Sequence, residues 1–444
     1  MLIKDKLNGI LLNRKEVKTI MDNNSVKEKK HSGTEVFRAY YILIICTLLY
    51  IINHMDRQVF AVVLQPMKLE LGLTDAECGL IQTIFILCIA FFSFPIAYLM
   101  DRWNRKNLIA LIAIIWSVFT FITGLMKNFI GLALARAGVG TGEAAYTAGG
   151  VSIVSAAFPE SSRGKALGIF YAGLPIGAAI GTILGGYIST SYGWRTPFYY
   201  FAIPGIILAV MAFFIKDYSV AGLKTDSSKP VSFLNTITYL WKIPTLRWFY
   251  LGLGLTHVMI TSFMGWAPAL VMRELNVSEA SAGLIVGGIG LMALIGAPVG
   301  GFLSDYFYKR DVRGRMVLIA SSICAAGLML IIVILMRFST IGIILAMIFG
   351  IFMVAPSASY GAVSQELVLP SYKNASAGMM LFMSFLLGGA WAPYAAGVVS
   401  DGLGGGADGL RIAMIIMASI GILGGLCFFV ATRPYIRDAT AATE

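Results

Sequence analysis

Charge is scarce in this chain. Only 13% of its 444 residues are Asp, Glu, Lys or Arg, 58% are hydrophobic, and mean hydropathy is +0.79. Soluble domains carry roughly 25% charged and about 45–50% apolar residues, so a water-soluble globular fold is excluded. With three histidines in total, no metal-spaced cluster and no Ser/His/Asp set stands out, and an enzyme is not expected. No Gly-x-x-x-x-Gly-Lys-Ser/Thr loop is present, which excludes ATP-driven chemistry on this chain. The five cysteines at 46, 78, 88, 324 and 427 fall in or beside apolar runs without paired spacing. They read as small apolar fillers, with no disulfide framework and no metal site. No cofactor is expected. A cleavable signal is also missing, because the apolar patch at Ile10-Leu11-Leu12 is short and flanked by charge.

What the chain has is long apolar runs. They lie near 40–61, 77–99, 107–126, 129–157, 164–189 and 197–215, then near 247–271, 281–303, 316–336, 341–368, 372–399 and 409–431. Most are long enough to cross a roughly 30 Å hydrocarbon layer as helix, and none shows the ten-residue alternation of a membrane barrel. The expected fold is an all-α polytopic membrane protein, twelve transmembrane helices in two pseudo-symmetric six-helix bundles. The bundles are 39–215 and 247–431, with a tail at 1–38, a linker at 216–246 and a second tail at 432–444. The run 129–157 is too long for one perpendicular helix and is expected to tilt or extend into solvent. The linker stretch Val231 to Trp241 is suited to the membrane surface.

Most of the 34 Lys and Arg fall in the tails and in loops on the side of the termini. That bias puts both termini in the cytoplasm, with the protein in the plasma membrane. The formal +11 then reflects topology and contact with anionic lipid, and nucleic acid need not be invoked.

One motif occurs twice. Ala97-Tyr98-Leu99-Met100-Asp101-Arg102-Trp103-Asn104-Arg105-Lys106 follows the second run, and Gly301-Phe302-Leu303-Ser304-Asp305-Tyr306-Phe307-Tyr308-Lys309-Arg310 follows the eighth. A signature recurring at half the chain length implies two similar halves, which in membranes rock against each other around a central site. Asp101, Arg102, Arg105, Asp305 and Arg310 are the expected gating residues. Each Asp is placed for a cation on a neighbouring helix, or a helix N-terminus, to hold it. The alternative is a tight turn that only needs positive charge. The fifth run carries Gly173, Gly177, Gly181 and Gly185, a spacing that allows helices to approach closely.

Buried charge is costly, at least about 2.5–3.5 kcal/mol at mid-bilayer, so the few instances are candidate site residues. The first run holds Asn53, His54, Asp56 and Arg57, and the fourth holds Arg136, Glu143 and Tyr146. Glu143 and Asp56 are the expected proton-handling groups, with Arg57 and Arg136 as their partners or as anchors for an anionic substrate. Asn53, His54 and Tyr146 complete that side, and His257 and Trp266 stand opposite in a second half almost free of charge. Polar on one side and apolar on the other, such a site suits an amphiphile. The competing reading is a static ion-pair cluster that fixes helix packing. The expected partners are a small-molecule or lipid substrate, protons and membrane lipid, on a monomer.

Twelve spans in two halves with the doubled Asp motif resemble the major facilitator superfamily, with Ala97 where the family pattern has Gly. Within it, several strings resemble the Spinster-type transporters. They are Asp56-Arg57, Phe94-Pro95, Trp116-Ser117, Arg136-Ala137-Gly138-Val139-Gly140 running on to Glu143, Phe158-Pro159, Gly193-Trp194-Arg195, Trp266-Ala267-Pro268, and Gly388 to Pro393 with Gly397 and Asp401. Lys373 stands where Arg is expected. The resemblance implies proton-coupled movement of lysolipids or sphingoid phosphates, with Asp56, Arg136 and Glu143 as functional residues. The organic anion:cation symporters share the same Asp-Arg and Arg/Glu arrangement and imply sugar acids or similar carboxylates instead. A non-transporting receptor of the same fold is the reading from another class.

Overall fold

The structure, a computed structural model, describes residues 33–215 and 233–442. The N-terminal tail up to residue 32 and linker residues 216–232 lie outside the described residues. Every regular element among the described residues is helical. The helices are α1 (Gly33–Leu71), α2 (Asp75–Arg102), α3 (Arg105–Leu125), α4 (Phe129–Glu143), α5 (Tyr146–Ala157), α6 (Glu160–Tyr192), α7 (Thr196–Ala212), α8 (Phe233–Lys242) and α9 (Pro244–Leu275). They continue as α10 (Glu279–Leu291), α11 (Ala293–Arg310), α12 (Gly314–Leu335), α13 (Thr340–Val354), α14 (Ser357–Glu366), α15 (Lys373–Ser384), α16 (Ala392–Gly402) and α17 (Gly406–Ala441). Ten helical runs are long and apolar enough to cross a membrane. The shorter α7 and the broken pair α4–α5 complete twelve spans.

Helix starts are written in polar residues that satisfy the first free N–H groups. Asn104, Asn128, Ser278 and Ser339 cap α3, α4, α10 and α13, and Thr74 with Glu77 forms a capping box on α2. The run 129–157 is two helices rather than one continuous helix. It breaks at Ala144–Ala145, where Ala145 takes a left-handed conformation at φ 60. The cause is local. Gly138, Gly140 and Gly142 weaken the helix, and Gly142 packs so tightly that an added Cβ would sit 2.5 Å from the Trp116 backbone nitrogen. The tenth span, six later, is interrupted at the matching place before Ser357, where Pro356 has no N–H to donate back along the helix. The eleventh passes through a π-turn at Phe385–Gly389.

The glycine ladder turns out to be a seam within the first six spans. A Cβ at Gly177 would lie 2.3 Å from the Ile51 carbonyl oxygen, and one at Gly181 2.6 Å from that of Met55. Span five thereby locks onto span one, the helix that carries Asp56 and Arg57. Gly177→Val should destabilise purified protein by an amount typical of overpacking, about 1–3 kcal/mol, read as a lower melting temperature. Gly164→Ala, where nothing lies within 4 Å, should leave it unchanged.

The first six spans meet the last six mainly at one end, the end distant from the chain termini. Gly79 packs on the Pro393 carbonyl and Gly397 on that of Asp75, while Gly186 packs on the Glu279 carbonyl and Gly283 on that of Thr182. Hydrogen bonds across the same region join Asp75, Ala76 and Gln65 to residues 273, 400 and 401. At the opposite, proximal end, α8 begins where the surface stretch was expected. Its Tyr239 stacks on Tyr372 at 4.1 Å, and Trp241 is half-exposed.

Candidate functional site

Helical spacing on α1 puts Asp56, Arg57 and Phe60 within one turn at the middle of the span. The break after Glu143 ends α4 beside them. Arg57 Nε donates to Glu143 Oε2 at 2.7 Å, with the Arg57 side chain 30% exposed and that of Glu143 fully buried. Glu143 Oε1 has no hydrogen-bond partner. Asp56, also fully buried, accepts from Thr120 Oγ1 at 2.9 Å through Oδ2, and its Oδ1 is unpartnered.

Arg136 is the distinctive member. The seven-residue spacing suggested an acid partner for it, yet the structure gives Glu143 to Arg57. The Arg136 guanidinium lies between two aromatic faces, 4.8 Å from the Phe60 ring centroid and 4.4 Å from that of Phe85. Arg57 lies 5.8 Å from the same Phe85 ring. Arg136 is 2% exposed, and its Nε and Nη1 donate to nothing. Cation–π contacts supply about 0.5–2 kcal/mol each, well short of the several kcal/mol that burying an ion costs. A buried cation with free donors is chemically suited to pair with an anion.

The other expected residues divide. His54 Nε2 is buried and unpartnered, with its ring edge-on to Tyr50 at 4.7 Å. Asn53 lies one turn from Asp56, fully buried, with neither amide atom bonded. His257 Nδ1 is held by the Leu253 carbonyl at 3.0 Å, and its ring faces Phe385 at 6.1 Å. Two more are bonded to backbone. The Tyr146 hydroxyl donates to the Cys46 carbonyl at 2.8 Å from a buried ring packed on Trp116. The Trp266 indole donates to the Pro393 carbonyl at 3.0 Å and is fully buried. Both donors are engaged by backbone in this conformation.

Asp305, Arg310 and Arg102 contact residues of their own halves, as does Arg105 through Ser152. Arg315, at the start of span nine, holds Asp305 at 3.1 Å and also pairs with Glu366 at the end of span ten. Asp305 is 70% exposed on its side chain. Arg310 is not its partner but lies over the Tyr306 ring at 4.4 Å. Arg105 Nη1 donates to Ser152 at 2.7 Å and Arg102 covers Tyr98 at 4.2 Å, while the Asp101 side chain lies outside the described set.

Sequence reasoning missed Phe60, Phe85, Thr120 and Arg315. Phe60 and Thr120 were findable: the first is four residues from Asp56 on one helix face, and the second is a polar residue in an apolar span. Phe85, an aromatic among many, carried no signal.

Comparison with known proteins agrees with this architecture. A family model described as the Major Facilitator Superfamily matches residues 46–393. Protein spinster homolog 1 of Xenopus tropicalis is 26% identical, over 94% of this chain and 85% of that protein. A probable L-galactonate transporter of Escherichia coli is 25% identical, over 87% and 88%. The crystal structure of a bacterial homolog to the human lysosomal transporter Spinster, inward-facing and unoccupied, superposes with a TM-score of 0.79 at 26% identity, covering 90% of this chain and 98% of that one. The multi-span fold, the paired seams and the family match over most of the chain lead to one conclusion: this protein belongs to the Major Facilitator Superfamily and is similar to its Spinster-type transporters.

Proposed function

We propose that this chain is a proton-coupled secondary transporter that moves an amphiphile with an anionic head by alternating access. The observation that carries the reading is Arg136, a buried guanidinium with two unused donors beside two buried carboxylates that each keep one oxygen unpartnered. An anionic head group relieves the unpaired cation. Proton uptake on Glu143 or Asp56 offsets charge as the site changes sides. Phe382, 57% exposed on span eleven, and Phe385 beside His257 supply apolar surface for a tail. The spinster relatives and the inward-facing likeness support this reading. So does the excess of Lys and Arg at the proximal end, which puts the termini and that end in the cytoplasm of a plasma-membrane protein. Residues 39–215 and 247–431 are the bodies that move.

The likeness to the L-galactonate transporter favours a second reading, in which two guanidiniums clamp a sugar acid. Thermal stabilisation ranks the two. A lysophospholipid or sphingoid phosphate should raise the melting temperature of purified protein, and galactonate or glucuronate should not. The reverse order favours the sugar-acid reading. Uptake of the stabilising ligand into vesicles, driven by a pH gradient, separates a transporter from a receptor.

A further inference from the structure

The distal closure is asymmetric. Two seams join the halves there, span two with span eleven and span five with span eight, each interlocked by a pair of glycines on opposing helices. In the second seam the polar contact is light. Thr190 Oγ1 donates to Glu279 at 2.9 Å and accepts from the Ala280 N–H at 3.0 Å, at the surface. The first seam is charged and dry. Asp75, the first residue of α2, is fully buried. It receives Arg273 of the other half twice, Nη2 to Oδ1 at 2.6 Å and Nη1 to Oδ2 at 2.8 Å. Ser400, also of the other half, adds a bond at 2.6 Å, and Lys68 of its own half completes the set. Arg273 is further fixed by Gln65 at 2.7 Å. In the reverse direction, Asp401 accepts from the N–H groups of Asp75 at 3.1 Å and Ala76 at 2.7 Å, at the positive end of α2.

We propose that the Asp75–Arg273 pair is the latch of the distal end, and that the seam between spans five and eight is a passive bearing on which the halves turn. A bidentate ion pair on a fully buried carboxylate outweighs two exposed hydrogen bonds made by one hydroxyl. The placement of Lys68 makes the latch reversible. When the halves part, Asp75 keeps a cation from its own half and is not left bare, while Arg273 is released to water. Its neighbour Glu274 stays engaged by Arg411 at 2.6 Å within the second half. The proposal rests on the alternating-access reading.

Double electron–electron resonance tests it, with spin labels at the exposed positions Lys127 and Leu403 for the distal end and at Trp103 and Val312 for the proximal end. Arg273→Gln and Asp75→Asn should each raise the distal-open fraction on the order of tenfold, with a matching shortening at the proximal pair. Lys68→Gln and Thr190→Val, which remove no ion pair between halves, should change it by less than about twofold. Melting curves confirm that each variant is folded, and Arg273→Gln, which leaves Asp75 paired with Lys68, guards against loss of Asp75→Asn to misfolding. Parent-like distances in folded Arg273→Gln overturn the latch, as does an equal shift in Thr190→Val. If parent and variants all keep one distance at both ends, with and without lysolipid and a pH gradient, alternating access fails together with the latch. A ligand-driven shift in the parent that Arg273→Gln does not alter removes the latch alone.

Discussion

Vesicles containing Glu143→Gln should bring labelled substrate to equal concentration on both sides and no further, whatever pH gradient is imposed. The substitution is close to isosteric. The amide oxygen of Gln can still accept from Arg57 Nε, which Glu143 does at 2.7 Å, so the contact between spans one and four survives. What is lost is the ability to bind and release a proton, in a side chain whose other oxygen is buried and unpartnered. One-for-one exchange of internal for external substrate needs no net proton movement and should persist. Counterflow in the same vesicles therefore serves as the control for folding and binding. Accumulation at the parent level in Glu143→Gln would remove this carboxylate from coupling and leave Asp56, held by Thr120 at 2.9 Å, as the remaining acid to test.

Arg136→Met is expected to weaken substrate binding by about 30-fold or more, the scale of losing roughly 2 kcal/mol from a charge-assisted contact. Without ligand, the same variant should melt no lower than the parent. Methionine keeps most of the volume between Phe60 and Phe85 while removing a buried cation that has two unused donors. Arg136 makes no direct ion pair, so its removal breaks none and relieves the cost of burying its charge. The pair of measurements separates two roles. A packing arginine would lose stability and leave affinity unchanged, whereas an anchor loses affinity and leaves stability unchanged. Arg136→Lys should recover only part of the affinity, since an ammonium neither stacks flat between two rings nor offers a planar fork.

The twelve spans and the doubled halves were legible because hydrophobic length and a repeated motif are properties of sequence alone. The site was legible in part for a related reason: a charge inside an apolar run cannot hide, so Asp56, Arg57, Arg136 and Glu143 stood out. Their pairing was not. Which acid meets which base depends on the kink at Ala144–Ala145, and that kink depends on Gly142 meeting the backbone at Trp116, a contact between spans. The backbone partners of Tyr146 and Trp266 were not legible either, because a polar aromatic in a membrane span needs a partner and sequence does not say which. Asp75 and Arg273 passed as ordinary loop charges, since each sits at a span end where charge is routine. Only tertiary structure shows that both are dry.

The tight fit of span five on span one has a thermodynamic consequence. With Gly177 and Gly181 leaving no room beside the Ile51 and Met55 carbonyls, Asp56 and Arg57 cannot shift against the helix behind them. A ligand meeting that face from either compartment finds the same backbone behind it, so at a given protonation of Asp56 and Glu143 the face adds equally to affinity on both sides of the membrane. Any further difference in how tightly the two sides hold a ligand must then originate opposite, where spans ten and eleven are interrupted at Pro356 and at Phe385–Gly389. Directional preference, on this account, is tuned by the uncharged half.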